Sequence, residues 1–201
     1  MMGLRYEIRL SGSGGQGLIL MSIILAEAIG IYDGKFVCQT QSYGPQAWGG
    51  SSKAEVIVSD EDIEYPKAMN LDLLLAMNQK SCDEYYRDLR QGGMLIVDST
   101  FVQQLPTPRA YSIPFTRIAR EKFQRETVAN IVALGALTQL TSIVYHKSVE
   151  AAVLARVPDG MEKLNIDALR SGIKAAKKIM KDRSLLEIAP DLSEEELRDA
   201  Y

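Results

Sequence analysis

The chain has 201 residues, 46% of them hydrophobic, which is enough to bury the core of one large domain. Its 23 basic and 26 acidic residues give a formal net charge of −3, and this balance argues against a nucleic-acid partner. The longest apolar stretch is broken by polar residues and is shorter than a bilayer span, and the start of the chain lacks signal-peptide features. We therefore expect a cytoplasmic protein without a membrane anchor.

The two cysteines, Cys38 and Cys82, lie far apart in the sequence and form no CxxC motif. An iron–sulfur cluster needs four thiolates, and a structural zinc ion needs four ligands at characteristic spacings. The chain therefore cannot hold either centre by itself. If electrons pass through an assembly that contains this chain, other chains carry them.

The first motif is the glycine loop, Gly12-Ser13-Gly14-Gly15-Gln16-Gly17, which follows an alternating apolar run at 6–10 and precedes an apolar segment at 18–31. This order predicts a strand, a tight turn and a helix. Glycines at the first, third and sixth positions let backbone N–H groups approach an anion at the helix N-terminus and let the helix pack closely on the strand. A nucleotide-binding loop and a turn required only for packing both fit this pattern.

Residues 36–41 predict a second strand, and with the preceding helix they predict a parallel, right-handed strand–helix–strand unit. A nicotinamide-binding fold would place an acid at the end of this strand to bind the ribose hydroxyls. Here the strand ends in Gln41 and Ser42. The nearest acids, Asp33 and Glu55, lie before and well after that end. The missing ribose contact argues against a nicotinamide-dependent enzyme.

The second strand leads into a loop at 41–52 that is rich in glycine and contains Tyr43 and the single tryptophan, Trp48. These aromatic residues either fold back onto the core or anchor an interface with another chain. We favour the interface, with a predicted contact set of Tyr43, Gly44, Pro45, Trp48, Gly49 and Gly50. Residues 53–59 then alternate in polarity and predict a third strand.

A continuous apolar run at 71–77 predicts a strand that is covered on both faces, as in parallel sheets. Asn78 and Gln79 follow it, at the carboxyl edge where open α/β sheets bind ligands. Asn78 therefore either faces a ligand beside the glycine loop or caps the next helix. The predicted site, a rim facing an anion, consists of Gly12, Gly14, Gly15, Gln16, Gly17 and Asn78.

The next segment begins with Ser81-Cys82-Asp83-Glu84, which predicts a capping box that opens a helix through Arg90. Gly92 and Gly93 would end this helix before a strand at 94–97. At the end of that strand, Asp98 is either a ligand contact or, as we favour, a turn residue.

The remaining elements give the chain a helical C-terminal part. The single histidine, His146, has no nucleophile or carboxylate pattern around it, and we expect it at the surface. The spacing of apolar residues and prolines from 106 onward predicts an edge strand at 110–113 and a helix at 115–123. A largely buried helix at 127–140 would approach its neighbours through small residues. Two more helices are predicted at 148–156 and 165–181, the last capped by Asn165.

Together these elements predict an α/β fold: a Rossmann-like, open, mostly parallel sheet flanked by helices. We expect a single Rossmann-like domain at 1–183. The charged tail at 184–201 carries a capping box from Ser193 and is expected to form one more short helix.

The order of these motifs resembles the gamma subunit of 2-oxoacid:ferredoxin (acceptor) oxidoreductases. The likeness spans roughly residues 6–178 and rests on the glycine loop, the tyrosine–glycine–proline loop and the strand that ends in Asn78 and Gln79. Segments 92–99, 113–119 and 129–137 continue it. Its specificity comes from several motifs in a fixed order.

This resemblance implies a subunit that is not catalytic alone, within an enzyme that oxidatively decarboxylates a 2-oxoacid to an acyl-coenzyme A and reduces ferredoxin. It implies that the complex uses thiamine diphosphate, Mg²⁺, an iron–sulfur cluster and coenzyme A, none of them bound by this chain alone, and that the anion bound at the predicted rim could be coenzyme A. The implied partners are alpha, beta and ferredoxin-like delta subunits, and the isolated chain could form a homodimer.

Within that family, residues 41–50 look most similar to the 2-oxoglutarate enzymes. Gln46 and Trp48 stand where the family commonly has an acid and an arginine, so a flat apolar contact would replace a charged one. The alternative function is a free-standing Rossmann protein that binds a nucleotide or NAD(P).

Overall fold

The computed structural model describes residues 3–43 and 51–188. The strands are β1 (Arg5–Ser13), β2 (Phe36–Tyr43), β3 (Ser51–Ser59), β4 (Leu71–Ala76), β5 (Leu89–Asp98) and β6 (Tyr111–Ile113). The helices are α1 (Leu18–Glu27), α2 (Gln79–Tyr85), α3 (Phe115–Phe123), α4 (Ala129–Leu140), α5 (His146–Arg156) and α6 (Glu162–Ile188). A π-helical turn at Ala28–Tyr32 extends α1, and 3₁₀ turns at Tyr86–Asp88 and Glu126–Val128 precede β5 and α4.

The strands form one six-stranded sheet in the order β2-β3-β1-β4-β5-β6. The pairs β1–β4, β4–β5 and β5–β6 are parallel, whereas β3 is antiparallel to both β1 and β2. The predicted α/β fold, a mostly parallel sheet flanked by helices, is therefore confirmed. β6 is an edge strand, as its flanking prolines indicated.

The strand at 36–41 was predicted to form a parallel unit with β1, and the parallel direction is confirmed, although the two strands are not neighbours in the sheet. β2 runs in the same direction as β1, but β3 lies between them and bonds to both. The reason is burial: β3 contributes Val56, Ile57 and Val58 to the interior, whereas β2 is rich in Gln, Ser and Thr. β3, with its continuous buried run at 56–58, takes the internal position in the sheet, and β2 lies at its edge.

Two cores lie on opposite faces of the sheet. Alternate residues of β1, Ile8 and Leu10, pack with Leu73, Leu75 and helices α1, α3, α4, α5 and α6. The other face is covered on its β4–β5 side by α2, through Cys82, and by the segment after β5. All six residues of β4 are buried, so the prediction of a strand covered on both faces is confirmed.

Helices α4 and α6 cross at two glycines. A Cβ atom on Gly135 would lie 2.0 Å from the carbonyl oxygen of Leu169, and one on Gly172 would lie 1.8 Å from that of Val132. Only glycine permits such an approach of one backbone to the other. The prediction that small residues let the buried helix approach its neighbours is confirmed.

Three local predictions were wrong. Helix α2 starts at Gln79 with Asn78 as its cap, so Ser81 lies inside the helix, where its hydroxyl donates to the carbonyl of Asn78. The helix ends at Tyr85, and Gly92 and Gly93 lie within β5, close to an irregularity in its register with β4. The segment joins the sheet because β5 already pairs with β4 at Leu89, so the two glycines lie in a strand and do not end a helix.

The third correction concerns the last helix, which begins at Glu162. Asn165 lies within its first turn, and its amide donates to the carbonyl of Met161 at 2.9 Å rather than capping the helix. The helix continues through Ile188, past the position where we expected the tail to begin. In the described parts of the chain, no helix combines the length and apolar character needed to cross a membrane.

Candidate functional site

The carboxyl ends of β1 and β4 meet at one rim of the sheet. Their parallel pairing brings the end of β4 beside the glycine loop, where the amide nitrogen of Asn78 donates to the hydroxyl of Ser13 at 2.7 Å. The sequence placed these two segments on one rim, and the structure brings them into direct contact.

Gln16 closes the glycine loop from inside. Its side-chain oxygen accepts the backbone N–H of Ser13 at 2.6 Å, and its amide nitrogen lies 3.5 Å from the carbonyl oxygen of Met77. A Cβ on Gly12 would stand 2.3 Å from that side-chain oxygen and 3.0 Å from the Cβ of Met77. Gly12 and Gln16 therefore fit together, and both serve the packing of the loop.

Gly17 begins helix α1 in the left-handed conformation, with φ of +72°. Its carbonyl oxygen accepts the side-chain amide of Asn130 at 3.1 Å, and a Cβ here would lie 2.4 Å from that amide nitrogen. Asn130 is buried at the start of α4. The contact thus ties the first turns of two helices together at the glycine loop.

Gly14 and Gly15 differ from the other glycines of the loop, because a Cβ on either would meet nothing within 4 Å. Gly15 has a φ of +87°, and α1 begins just beyond with no side-chain cap and no acid in its first turn. Backbone N–H groups at such a helix start favour an anion. This part of the loop is an open cradle of backbone.

Asn78 caps helix α2, which is one of the two roles left open by the sequence. Its side-chain oxygen accepts the backbone N–H of Ser81 at 2.8 Å, while its nitrogen is bonded to Ser13. Gln79 holds the segment after β5 in place: its oxygen accepts the N–H groups of Gln103 at 2.9 Å and Gln104 at 3.0 Å. The rim amides are engaged in holding loops together.

Asp98 has the turn role that was favoured for it. One carboxylate oxygen accepts the N–H of Thr100 at 3.0 Å, and the other accepts the N–H of Thr116 at 3.1 Å and its hydroxyl at 2.5 Å. The carboxylate is fully buried. It fixes the start of α3 against the end of β5.

The two ends of the predicted interface loop lie at the same rim. Ser51, the first residue of β3, pairs with Ser13, and Tyr43, the last residue of β2, pairs with Ser52. The chain therefore leaves and re-enters the sheet beside the glycine loop. Of the predicted contact set, Gly44, Pro45, Trp48, Gly49 and Gly50 lie outside the described residues, as does the side chain of Tyr43, so their role stays a prediction.

Sequence reasoning missed a buried ion cluster on the face of the sheet that carries α2. The guanidinium of Arg9 contacts the carboxylate of Glu55 at 2.8 Å and that of Asp88, and lies 5.0 Å from the ring centre of Tyr85. The alternation of charged residues in β1 was the only available signal. Because its charges are paired, the cluster holds the strand to the turn before β5.

A second missed contact is a cap supplied from far along the sequence. The carboxylate of Asp33 accepts the backbone N–H of Tyr145 at 3.1 Å and the hydroxyl of Ser148, at the start of α5. His146 is exposed, as expected. No cluster of three or more His, Cys, Asp or Glu side chains suited to a metal ion occurs within residues 3–43 and 51–188.

Comparison with known proteins gives a family match over residues 7–175, to a model described as pyruvate ferredoxin/flavodoxin oxidoreductase. The chain is 48% identical over 180 residues to the 2-oxoglutarate synthase subunit KorC of Methanocaldococcus jannaschii, with 88% of this chain and 96% of the relative covered.

Solved structures of related oxidoreductases share the fold of this chain. The gamma subunit of a keto/oxoacid ferredoxin oxidoreductase from Geobacter sulfurreducens superposes with a TM-score of 0.80 at 48% identity, over 87% of this chain and 98% of that chain. A 2-oxoglutarate:ferredoxin oxidoreductase from Magnetococcus marinus, solved with 2-oxoglutarate, coenzyme A and succinyl-CoA, matches with a TM-score of 0.77 at 22% identity, over 87% of this chain but 31% of that chain. The second likeness is one of fold.

Proposed function

The chain belongs to the pyruvate ferredoxin/flavodoxin oxidoreductase family, and we propose that it is the gamma subunit of an enzyme that oxidises 2-oxoglutarate to succinyl-coenzyme A and reduces ferredoxin. One observation carries this proposal: a relative named as a subunit of 2-oxoglutarate synthase matches this chain over nearly its whole length. The gamma subunit from Geobacter sulfurreducens is likewise a separate chain of matching extent. The chain thus acts as a discrete part of an oxidoreductase.

The redox chemistry falls to other subunits. The chain has only two cysteines, which cannot supply four thiolates to an iron–sulfur cluster. In our proposal, alpha and beta subunits and a ferredoxin-like delta subunit hold thiamine diphosphate, Mg²⁺ and the cluster, and the complex works in the cytoplasm. Thiamine diphosphate supplies the carbanion chemistry of decarboxylation, and the protein supplies binding and orientation. The gamma subunit contributes surface to that assembly.

The glycine loop is the part of this chain that we assign to coenzyme A. Gly14 and Gly15 form an open backbone cradle at the uncapped start of α1, which suits a phosphate group of an anionic cofactor. The other members of the predicted site hold the cradle in shape: Gly12 and Gln16 pack together, Gly17 contacts Asn130, and Asn78 caps α2. The rim thus offers backbone donors on a rigid support.

The loop between β2 and β3 is the surface that we assign to the partner subunits. Its two ends lie beside the glycine loop, so subunits that bind through Tyr43, Gly44, Pro45, Trp48, Gly49 and Gly50 would border the cradle. This arrangement would close the cofactor site at a subunit interface, which is where small-molecule sites commonly occur.

Purification of the native complex through a tag on this chain tests the function. We expect larger chains to copurify with thiamine diphosphate and iron, and the complex to reduce ferredoxin with 2-oxoglutarate faster than with pyruvate or 2-oxoisovalerate. The isolated chain should show no such activity. A cofactor-free homo-oligomer that binds NAD(P) would instead establish the alternative of a free-standing nucleotide-binding protein.

The cradle has its own test, because position 14 tolerates a side chain without a clash. In the reconstituted complex, Gly14→Asp should raise the KM for coenzyme A through charge repulsion, while the neutral isostere Gly14→Asn raises it less. Equal KM values for both variants and the wild type would remove the cradle from coenzyme A binding and leave the subunit assignment intact.

A further inference from the structure

The outer face of helix α6 carries balanced charge in the first half of the helix. Asp167 lies between the cations Lys163 and Arg170, and all three side chains are exposed. Residues three and four positions apart share a face of a helix, so these charges are neighbours. The guanidinium of Arg170 also contacts the carboxylate of Glu150 on α5 at 3.2 Å. Neither sign dominates this half of the face.

The second half of the same face is cationic. It carries four exposed lysines, which we call the lysine stripe: Lys174, Lys177, Lys178 and Lys181. Lys174 and Lys178 are four positions apart, as are Lys177 and Lys181, and like charges at this spacing repel each other. Among the described residues, no carboxylate forms an ion pair with Lys174, Lys177 or Lys178.

The helix dipole does not account for the stripe. Cations stabilise a helix within its last turn, and the last turn of α6, which ends at Ile188, contains no basic residue. Even Lys181 lies well before that turn. The stripe therefore destabilises its own helix through repulsion unless an anionic group neutralises it.

The sequence supplies such a group directly after the helix. Residues 189–201, which we call the acidic segment, lie outside the described residues. The segment contains one base, Arg198, and five acids: Asp191, Glu194, Glu195, Glu196 and Asp199. Its formal charge is −4, against −3 for the whole chain, so residues 1–188 carry +1. The net negative charge of the chain therefore resides in the segment that follows the stripe.

The length of the acidic segment matches the length of the stripe. The rise of an α-helix places Lys181 about 10 Å and Lys174 about 21 Å back along the axis from Ile188. An extended chain that leaves Ile188 covers at most about 10 Å by Asp191 and about 26 Å by Glu196. The acids therefore come level with the lysines if the segment folds back along the helix.

We propose that the acidic segment folds back along α6 and binds the lysine stripe of its own chain. Pro190 disfavours continuation of the helix and so favours a change of direction after Ile188. Tethering selects this occupant: exposed ion pairs are individually weak, but a short linker gives the segment a high effective concentration at the stripe. A separate acidic surface lacks this advantage and reaches the lysines only by displacing the segment.

Acetylation rates of individual lysines, read by mass spectrometry on the isolated chain, test the contact. The matched variant carries Glu194→Gln, Glu195→Gln and Glu196→Gln, which keep the length of the segment but remove three charges. At low ionic strength, the lysines of the stripe should react about threefold faster or more in this variant than in the wild type, and about 0.5 M salt should remove the difference. Lys163 is the internal control, because it lies on the same face about 27 Å from Lys181, and it should react equally in both proteins.

Substitutions in the stripe test the contact from the other side. With Lys174→Gln and Lys178→Gln combined, the backbone of the acidic segment should become more mobile on the nanosecond timescale in NMR relaxation than it is in the wild type. The control combines Lys147→Gln and Lys163→Gln, which remove the same charge from exposed positions outside the stripe. It should leave the mobility of the segment unchanged.

Three results would overturn the proposal. Equal acetylation of the stripe in the wild type and the glutamine variant would mean that the segment does not bind there. Protection that strengthens with protein concentration would assign the stripe to the segment of a second copy. Protection that appears only in the complete complex would assign the stripe to an acidic surface of another subunit.

Discussion

The side-chain amide of Asn130 donates to the carbonyl oxygen of Gly17 at 3.1 Å, which joins the first turn of α4 to the first turn of α1. The two residues are 113 positions apart in the sequence. Gly17 is in the left-handed conformation, and no side chain fits between its Cα atom and Asn130. The glycine that starts the helix is therefore required by a distant element as well as by its own turn.

Replacement of this glycine tests that requirement. Gly17→Ala should cost about 2 kcal/mol or more in the free energy of unfolding, because it combines a positive φ with a contact of 2.4 Å to the Asn130 amide. Gly15→Ala is the matched control: its φ is also positive, but its Cβ meets nothing within 4 Å, so it should cost only about 1 kcal/mol. Urea unfolding measures both.

A double mutant then isolates the contact. In an Asn130→Ala background, Gly17→Ala should cost less than in the wild type, since the amide that it meets is gone. Additive costs would show that only the backbone conformation matters at position 17.

The glycine crossing of α4 and α6 predicts an unusual response to alanine. Alanine normally stabilises a helix interior by about 1 kcal/mol relative to glycine. Gly135→Ala and Gly172→Ala should instead each destabilise the fold by about 3 kcal/mol, because each added methyl would lie within 2.0 Å of a backbone oxygen of the other helix. Thermal unfolding should show a large loss of Tm for both.

The neighbouring substitution Ser171→Ala controls for helix propensity, and we expect it to leave Tm unchanged or to raise it slightly. An unchanged Tm for the glycine variants would mean that the two helices separate at little cost.

Much of this architecture could be predicted from the sequence, because it depends on local periodicity. The apolar run that forms β4 and the stripe that forms α4 both reflect burial along one segment. The rim followed from the parallel pairing of β1 with β4. The glycine loop was predicted as a turn, but the separate roles of its residues were not. The Gln16 side chain fills the loop, and of the four loop glycines only Gly14 and Gly15 have free space where a side chain would lie.

The failures share a cause, which is dependence on partners that are distant in sequence. The alternating run that contains Arg9 gives no sign that its side chain meets Asp88, which is 79 positions away. The insertion of β3 between β1 and β2 depends on how each strand packs against the rest of the sheet, a comparison between elements rather than a property of either. The Asp33 cap on α5 is likewise invisible to local capping rules, since it acts across 112 residues.

The buried position of Arg9 predicts a large effect of its removal. Its side chain is 5% exposed and pairs with Glu55 and Asp88, so Arg9→Met would take this cation from both carboxylates and leave Glu55 with Lys53, 3.5 Å away and 30% exposed. We expect a loss of about 3 kcal/mol in the free energy of unfolding. Arg170→Met, which breaks an exposed pair with Glu150, is the control and should cost no more than about 1 kcal/mol. Similar small losses for both variants would mean that the Arg9 cluster is solvated.

The phenol of Tyr6 predicts how stability falls in alkali. Burial, with a smaller effect of the Asp72 carboxylate, raises the pKa of Tyr6 from about 10 to about 12. A folded pKa above the unfolded one means that this contribution is complete below about pH 10 and is lost as the pH rises towards 12. Tyr6→Phe should therefore lose less stability than the wild type between about pH 9 and 11.5 in urea unfolding.

Tyr145→Phe is the control for Tyr6, because Tyr145 is 74% exposed. It should follow the wild-type curve. If the Tyr6→Phe curve also follows it, the alkaline loss arises from other groups, such as the Cys82 thiol, whose pKa burial raises to about 11.

Trp48 is the residue on which the proposed contact with partner subunits depends most. It lies outside the described residues, in the loop whose ends flank the glycine loop at the rim. As the single tryptophan of the chain, in a segment without charge, it has the character of an interface anchor. Trp48→Ala should weaken binding of this subunit to the rest of the enzyme by about 2 kcal/mol or more.

Trp48→Phe, which keeps an aromatic surface, is the control and should weaken binding less. The dissociation constants of both variants can be measured by titrating the labelled subunit into enzyme that lacks it. If Trp48→Ala binds normally but unfolds at a lower temperature, the tryptophan packs onto its own chain, and the partner contact must be sought elsewhere on the rim.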